Sequence, residues 1–122
     1  MCIAYLSIRK HPEWPLFIAA NRDEFHQRKA LAAARWHSNP AIIAGIDSEA
    51  GGTWLGINTN GRFALLTNYR DVNTIVPGAP SRGHLVSEFL QTNTPSVEYA
   101  SNILSRAAQY NAFNLVVGNP QK

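Results

Sequence analysis

The chain has 122 residues, 45% of them hydrophobic and 16% charged, with a formal net charge of +3, which fits a single domain over 1–122 able to bury roughly two-thirds of its unfolded surface. Eight Arg and three Lys are spread from Arg9 to Lys122 with Asp or Glu close to several of them, so no basic stripe points to nucleic acid and the charge reads as solubility. One cysteine excludes an internal disulfide framework. No apolar run approaches the roughly 20 residues of a membrane span, and the start lacks the basic and long apolar regions of a signal peptide, so a cytoplasmic setting is expected.

In chain order, residues 2–8 read as a buried strand and Lys10 to Pro15 as a turn, because two prolines bracket a polar cluster. Residues 15–20 form a second strand, the antiparallel partner of the first, which brings residues 20–23 back beside residues 2–4. The segment 26–40 reads as irregular, with Trp36 packed on the core, and 41–45 as another short strand. Gly51 and Gly52 then give a flexible lead-in to two β-type runs, 53–59 and 62–68. Asn60-Gly61 between them predicts a hairpin with a type I′ turn. A loop rich in Pro and Gly covers 71–80.

Two helices follow. Near 82–92, Ser81 suits the N-cap, and Leu85, Val86, Phe89 and Leu90 make one apolar face. Ser81-Arg82-Gly83 also suits an anion, the plainer alternative being a simple cap. Over 95–109, Pro95 takes the first helical position and Val97, Ala100, Ile103, Leu104 and Ala107 form the inward stripe. Residues 113–118 are a last strand, and an apolar strand so near the end of the chain suggests a longer parent. The expected class is α+β: one antiparallel sheet containing 2–8, 15–20, 53–59, 62–68 and 113–118, with both helices on one face.

The chemistry centres on Cys2. If Met1 is removed, Cys2 carries a thiol and a free α-amine on one residue, and near neutral pH that amine can take the thiol proton directly or through one water. A chain that keeps Met1 has its α-amine on Met1, and the base is absent. The plainer alternative makes Cys2 a small hydrophobe that starts the first strand. Asn21, Arg22 and Asp23 end the second strand. Period-2 alternation puts Asn21 and Asp23 on one side, with Asp23 facing Cys2 and Arg22 turned away. His11, His26, His37 and His84 show no metal-ligand spacing, and neither a metal nor a cofactor is expected.

Met1-Cys2-Ile3, Ala19-Ala20-Asn21-Arg22-Asp23-Glu24-Phe25, Gly51-Gly52-Thr53-Trp54-Leu55-Gly56, Leu66-Thr67-Asn68-Tyr69 and Phe113-Asn114-Leu115 occur in this order. Together they resemble the NRDE family of transport and Golgi organisation proteins, over nearly the whole chain but only the N-terminal half of a family member. The resemblance implies an N-terminal-nucleophile hydrolase-like αββα sandwich, here an N-terminal fragment, akin to choloylglycine hydrolases and penicillin V acylases. It implies Cys2 as nucleophile, with Asn21 and Asp23 orienting it, and Arg22, Trp54 and Asn68 as the residues that meet a substrate. Those hydrolases place an Arg directly before the Asn, where this chain has Ala20. Two functions follow from the resemblance. One is hydrolysis of a small amide or thioester. The other is a non-enzymatic ligand-binding or trafficking role in secretory-pathway organisation, with haem or an acyl-CoA-like ligand; there Arg22 would pair with a ligand carboxylate, or more plainly with Asp23 or Glu24.

Overall fold

Two sheets, not one, satisfy the apolar alternation of this chain. A computed structural model describes residues 2–121. The elements run β1 (Ile3–Ile8), β2 (Leu16–Asn21), β3 (Ala30–Arg35), β4 (Ile42–Asp47), β5 (Leu55–Asn58), β6 (Phe63–Asn68), α1 (Gly83–Gln91), α2 (Ser96–Leu104) and β7 (Phe113–Gly118), with a 3-10 turn at Ala107–Gln109. β1 and β2 hydrogen-bond only to each other, while β3 to β7 form a five-stranded antiparallel sheet in sequence order.

The reason for two sheets lies in the faces of the larger one. Ile42, Ala44 and Ala64 pack on one face against Leu85, Val86, Phe89 and Leu90 of α1 and Tyr99 and Ile103 of α2. Each of the Ile, Leu, Val and Phe side chains, fully buried, contributes about 1.5–3 kcal/mol. The other face presents Ile43, Leu55 and Ile57, which no helix covers. There the β1–β2 ribbon lies instead: Pro15, Leu16 and Ile18 enclose a cavity of about 510 Å³ with that face. Hydrogen-bonding the ribbon into the edge of the sheet would have left this apolar face bare. At the ribbon's tip, Arg9 adopts a left-handed φ of 53° and donates from Nε (2.9 Å) and Nη2 (2.6 Å) to the carbonyl of Pro120.

Several local expectations change. The stretch read as irregular contains β3, an edge strand exposed along its whole length. Its Ala-Leu-Ala-Ala-Ala run carries little strand signal, and pairing with β4, interrupted by a shift between Leu31 and Ala34, is what holds it extended. The β5–β6 hairpin is present, but its turn is not type I′. That turn needs φ above zero at both central residues, and here only Gly61 has it, at 87°. Asn58 donates to the Arg62 carbonyl at 2.8 Å and accepts from the Gly61 N–H at 2.9 Å, so three residues form the loop.

That register turns Asn58 and Arg62 toward the C-terminal end of α1. The Asn58 amide donates to the Leu90 carbonyl (2.8 Å) and Arg62 Nε to the Phe89 carbonyl (3.0 Å), with the guanidinium 3.7 Å above the Phe89 ring. A buried cation there answers both the orphan carbonyls and the negative end of the helix dipole.

At the other end of α1 the N-cap position falls on Arg82, one residue past Ser81, and Ser81 Oγ accepts from the Gly83 N–H at 3.4 Å. In α2, Pro95 stands one residue before the helix, which stops at Leu104 rather than 109. Of the expected stripe Ile103 is buried, together with Tyr99, whereas Val97 (80%) and Leu104 (77%) are exposed, so the stripe is rotated about Ile103. Gly51-Gly52 is no flexible lead-in. A Cβ on Gly52 would lie 2.6 Å from the Gly83 carbonyl carbon, which makes Gly52 the residue that lets the start of α1 approach the sheet.

Candidate functional site

The starts of β1, β5 and α1 and the ends of β2, β4 and β6 meet at one end of the layers. A cleft of about 270 Å³ opens there, its walls including Cys2, Arg22, Glu24, Arg28, Asp47, Thr53, Trp54, Asn68, Ser81, Arg82 and Gly83.

Trp54 is the floor on which the cationic side is built. Gly45 has no side chain where the indole passes: a Cβ there would lie 2.7 Å from the ring. The Arg22 guanidinium sits 4.2 Å from the Trp54 ring centroid, and its Nη2 is 3.9 Å from both a Glu24 and an Asp47 carboxylate oxygen. Stacking and two loose ion pairs therefore fix Arg22 without saturating its donors.

Asp47 anchors the next layer. Arg28 donates to its Oδ2 through Nε (3.1 Å) and Nη2 (2.6 Å), and Arg28 Nη1 reaches Glu49 at 2.7 Å. Burial works to raise the Asp47 pKa. The Arg28 hydrogen bond, the Glu49 N–H and the charges of Arg28 and Arg22 outweigh it and hold the carboxyl below its ordinary value. Arg28 is correspondingly raised, first by its hydrogen bond to Asp47.

Arg82 enters from the start of α1. The Thr53 N–H donates to the Gly83 carbonyl at 3.3 Å, which docks that turn on the sheet. Arg82 Nη1 donates to the Ala112 carbonyl at 2.7 Å. Burial lowers the Arg82 pKa, with the charges of Glu24 and Cys2 acting the other way.

Cys2 closes the cleft on the ribbon side. The backbone N–H of Asp23 donates to its Sγ at 3.4 Å, and Sγ lies 4.0 Å from the Asp23 carbonyl oxygen. The β1–β2 register ends at Ile3 opposite Asn21, which sets Cys2 across from Arg22. Directly opposed residues of an antiparallel pair share a face, so the expectation that Arg22 turns away from Cys2 is reversed. Arg22 lines the cleft with Cys2, and Asn21 and Asp23 do not. Asp23 meets Cys2 through its main chain. Its carboxyl is held below the ordinary range, first by a hydrogen bond from the amino terminus and then by that terminus's charge.

Of the six residues singled out from the sequence, the cleft thus gathers Cys2, Arg22, Trp54 and Asn68. Sequence reasoning passed over Arg28 and Asp47, and met Glu24 only as an ion-pair partner of Arg22, which it is at 3.9 Å. The available signal was Asp47 itself, a carboxylate closing an apolar strand just ahead of Gly51-Gly52. Among the described residues no group of three or more His, Cys, Asp or Glu could hold a metal ion, and no helix is long and apolar enough to cross a membrane.

The sequence profile of the family described as Transport and Golgi organisation 2 matches residues 1–122. The chain is 40% identical over 126 residues to the Transport and Golgi organization protein 2 homolog of Bos taurus, covering 98% of this chain and 45% of that protein. It is 39% identical to the Homo sapiens homolog over the same shares, and 31% identical to Transport and Golgi organization protein 2 of Drosophila melanogaster, covering 95% of this chain and 45% of that protein. The chain therefore spans less than half the length of these relatives.

Proposed function

This chain belongs to the Transport and Golgi organisation 2 family, and for its cleft we propose an N-terminal-nucleophile hydrolase-like reaction in which Cys2, freed by removal of Met1, attacks a small amide or thioester. The observation that carries the reading is the Cys2 thiol at the wall of a polar cleft, receiving the Asp23 N–H at 3.4 Å with Arg22 and Arg82 on the same cleft.

The α-amine of Cys2 takes the thiol proton, Sγ bonds to the carbonyl carbon, and the C–N or C–S bond breaks as the amine returns the proton to the leaving group. Water then hydrolyses the acyl-thioester and regenerates the thiol. The Asn68 amide suits the developing oxyanion. With Met1 removed, the Asp23 carboxylate tunes the base: it favours the ammonium form, so Asp23→Ala lowers the pH at which labelling rises. A reducing, cytoplasmic setting keeps Cys2 as a thiol.

A second reading is favoured by the names of the relatives, which speak of transport and Golgi organisation. In it the same cleft binds a small ligand without turning it over.

The test uses full-length protein with and without Met1, treated with an electrophilic chloroacetamide and followed by intact mass across pH. Loss of Met1 is expected to raise labelling near neutral pH, and Cys2→Ser to abolish it. Coincident pH–rate curves for the two forms end the nucleophile reading, and protein that stays unlabelled yet binds ligand supports the second.

A further inference from the structure

We propose that Arg82 is a specificity residue of this cleft, holding an anionic group, of the carboxylate class, on the molecule whose carbonyl meets Cys2. The inference rests on the cleft as the substrate site and names the kind of substrate it takes. Three guanidinium groups, Arg22, Arg28 and Arg82, share the cleft with two carboxylates, Glu24 and Asp47. The two carboxylates are engaged elsewhere. Asp47 is gripped by Arg28 at 2.6 Å and lies 3.9 Å from Arg22, and Glu24 lies 3.9 Å from Arg22 while accepting the Phe25 N–H at 3.1 Å.

Arg82 differs from the other two cations. Among the described residues it has no ion pair, and its one hydrogen bond runs from Nη1 to the neutral carbonyl of Ala112. Nε and Nη2 make no hydrogen bond among the described residues, and the side chain lines the cleft. A half-buried guanidinium with one arm fixed has lost part of its freedom already, so a planar anion can use the remaining donors at little further ordering cost. Partial removal from water strengthens that attraction relative to an exposed pair. The burial that depresses the Arg82 pKa is the same effect seen on the protein side.

Two measurements separate this inference from the reaction proposed above. The first uses Cys2→Ala protein, which cannot react, and follows the Arg Nε–Hε resonances by NMR while N-acetylglycine or the neutral N-acetylglycinamide is added. A saturable shift with the carboxylate, weakened about tenfold or more in Arg82→Gln and only partly in Arg82→Lys, is expected, in line with one charge-assisted contact. The second compares alkylation of Met-processed protein by chloroacetylglycine and chloroacetylglycinamide. The carboxylate probe is expected to react about tenfold faster in the wild type and at the rate of the neutral probe in Arg82→Gln. A shift without alkylation overturns the reaction and leaves Arg82 its role. Equal binding of both compounds, or binding of N-acetylglycine that Arg82→Gln and Arg82→Lys leave intact in protein of unchanged circular dichroism, overturns the assignment of Arg82.

Discussion

Asp47 shows how one side chain ties the fold to the cleft. It ends β4 at 5% exposure, takes two donors from Arg28 and the Glu49 N–H, and stands within 4 Å of Arg22. Its folded pKa lies below its ordinary value. The stability it contributes is therefore present above the unfolded pKa of about 4 and is lost as pH falls through the folded pKa. Asp47→Asn keeps the shape and removes the charge, and is expected to cost about 1.5–3 kcal/mol at pH 7. Urea unfolding at pH 7 and pH 3 checks this: the gap between variant and wild type narrows at the lower pH. A gap of the same size at both would mean that Asp47 acts by shape alone.

At the scale of elements, α2 is the sharpest case. Its sequence supports two apolar stripes that share Ile103, one running with Val97 and Leu104 and one with Tyr99. Periodicity ranks them equally. Packing chooses the second because the Tyr99 hydroxyl, unlike a valine, reaches a buried acceptor, donating at 2.6 Å to the Leu85 carbonyl with its ring 5.1 Å from Phe89. Ile103→Ala is then expected to cost about 2–4 kcal/mol, while Val97→Ser and Leu104→Gln stay within about 0.5 kcal/mol. Thermal unfolding of the three variants tests the rotation, and losses at Val97 and Leu104 as large as at Ile103 would restore the stripe read from the sequence.

For the whole molecule, the seam between α1, α2 and the sheet sets the alkaline limit of stability. Burial pushes the Tyr99 phenol up to about 12. A folded pKa above the unfolded one of about 10 means that the neutral phenol stabilises the fold fully below pH 10 and that this contribution is lost as pH rises toward 12. Tyr99→Phe is expected to lose about 1 kcal/mol at pH 7 and to be penalised less at pH 11. Denaturation at those two values tests it, and a constant penalty would place the alkaline limit elsewhere.

The sequence by itself determined the elements whose signal is local. Alternation and apolar runs marked β1, β2, β5, β6 and β7, i, i+4 spacing marked the face of α1, and the resemblance carried by the motifs around Cys2, Trp54 and Asn68 named three residues that line one cleft. The tertiary structure alone decided matters that depend on residues far apart. β3 is extended because β4 pairs with it, and Ala-rich sequence cannot announce that. Two sheets form because the larger one has a second apolar face to cover. Alternation correctly put Arg22 on the side opposite Asn21 and Asp23, yet which side meets Cys2 followed from the register that sets Ile3 against Asn21. A strand repeats every two residues, so a choice of register assigns all its side chains at once, and that choice is made by contacts between strands, not within one.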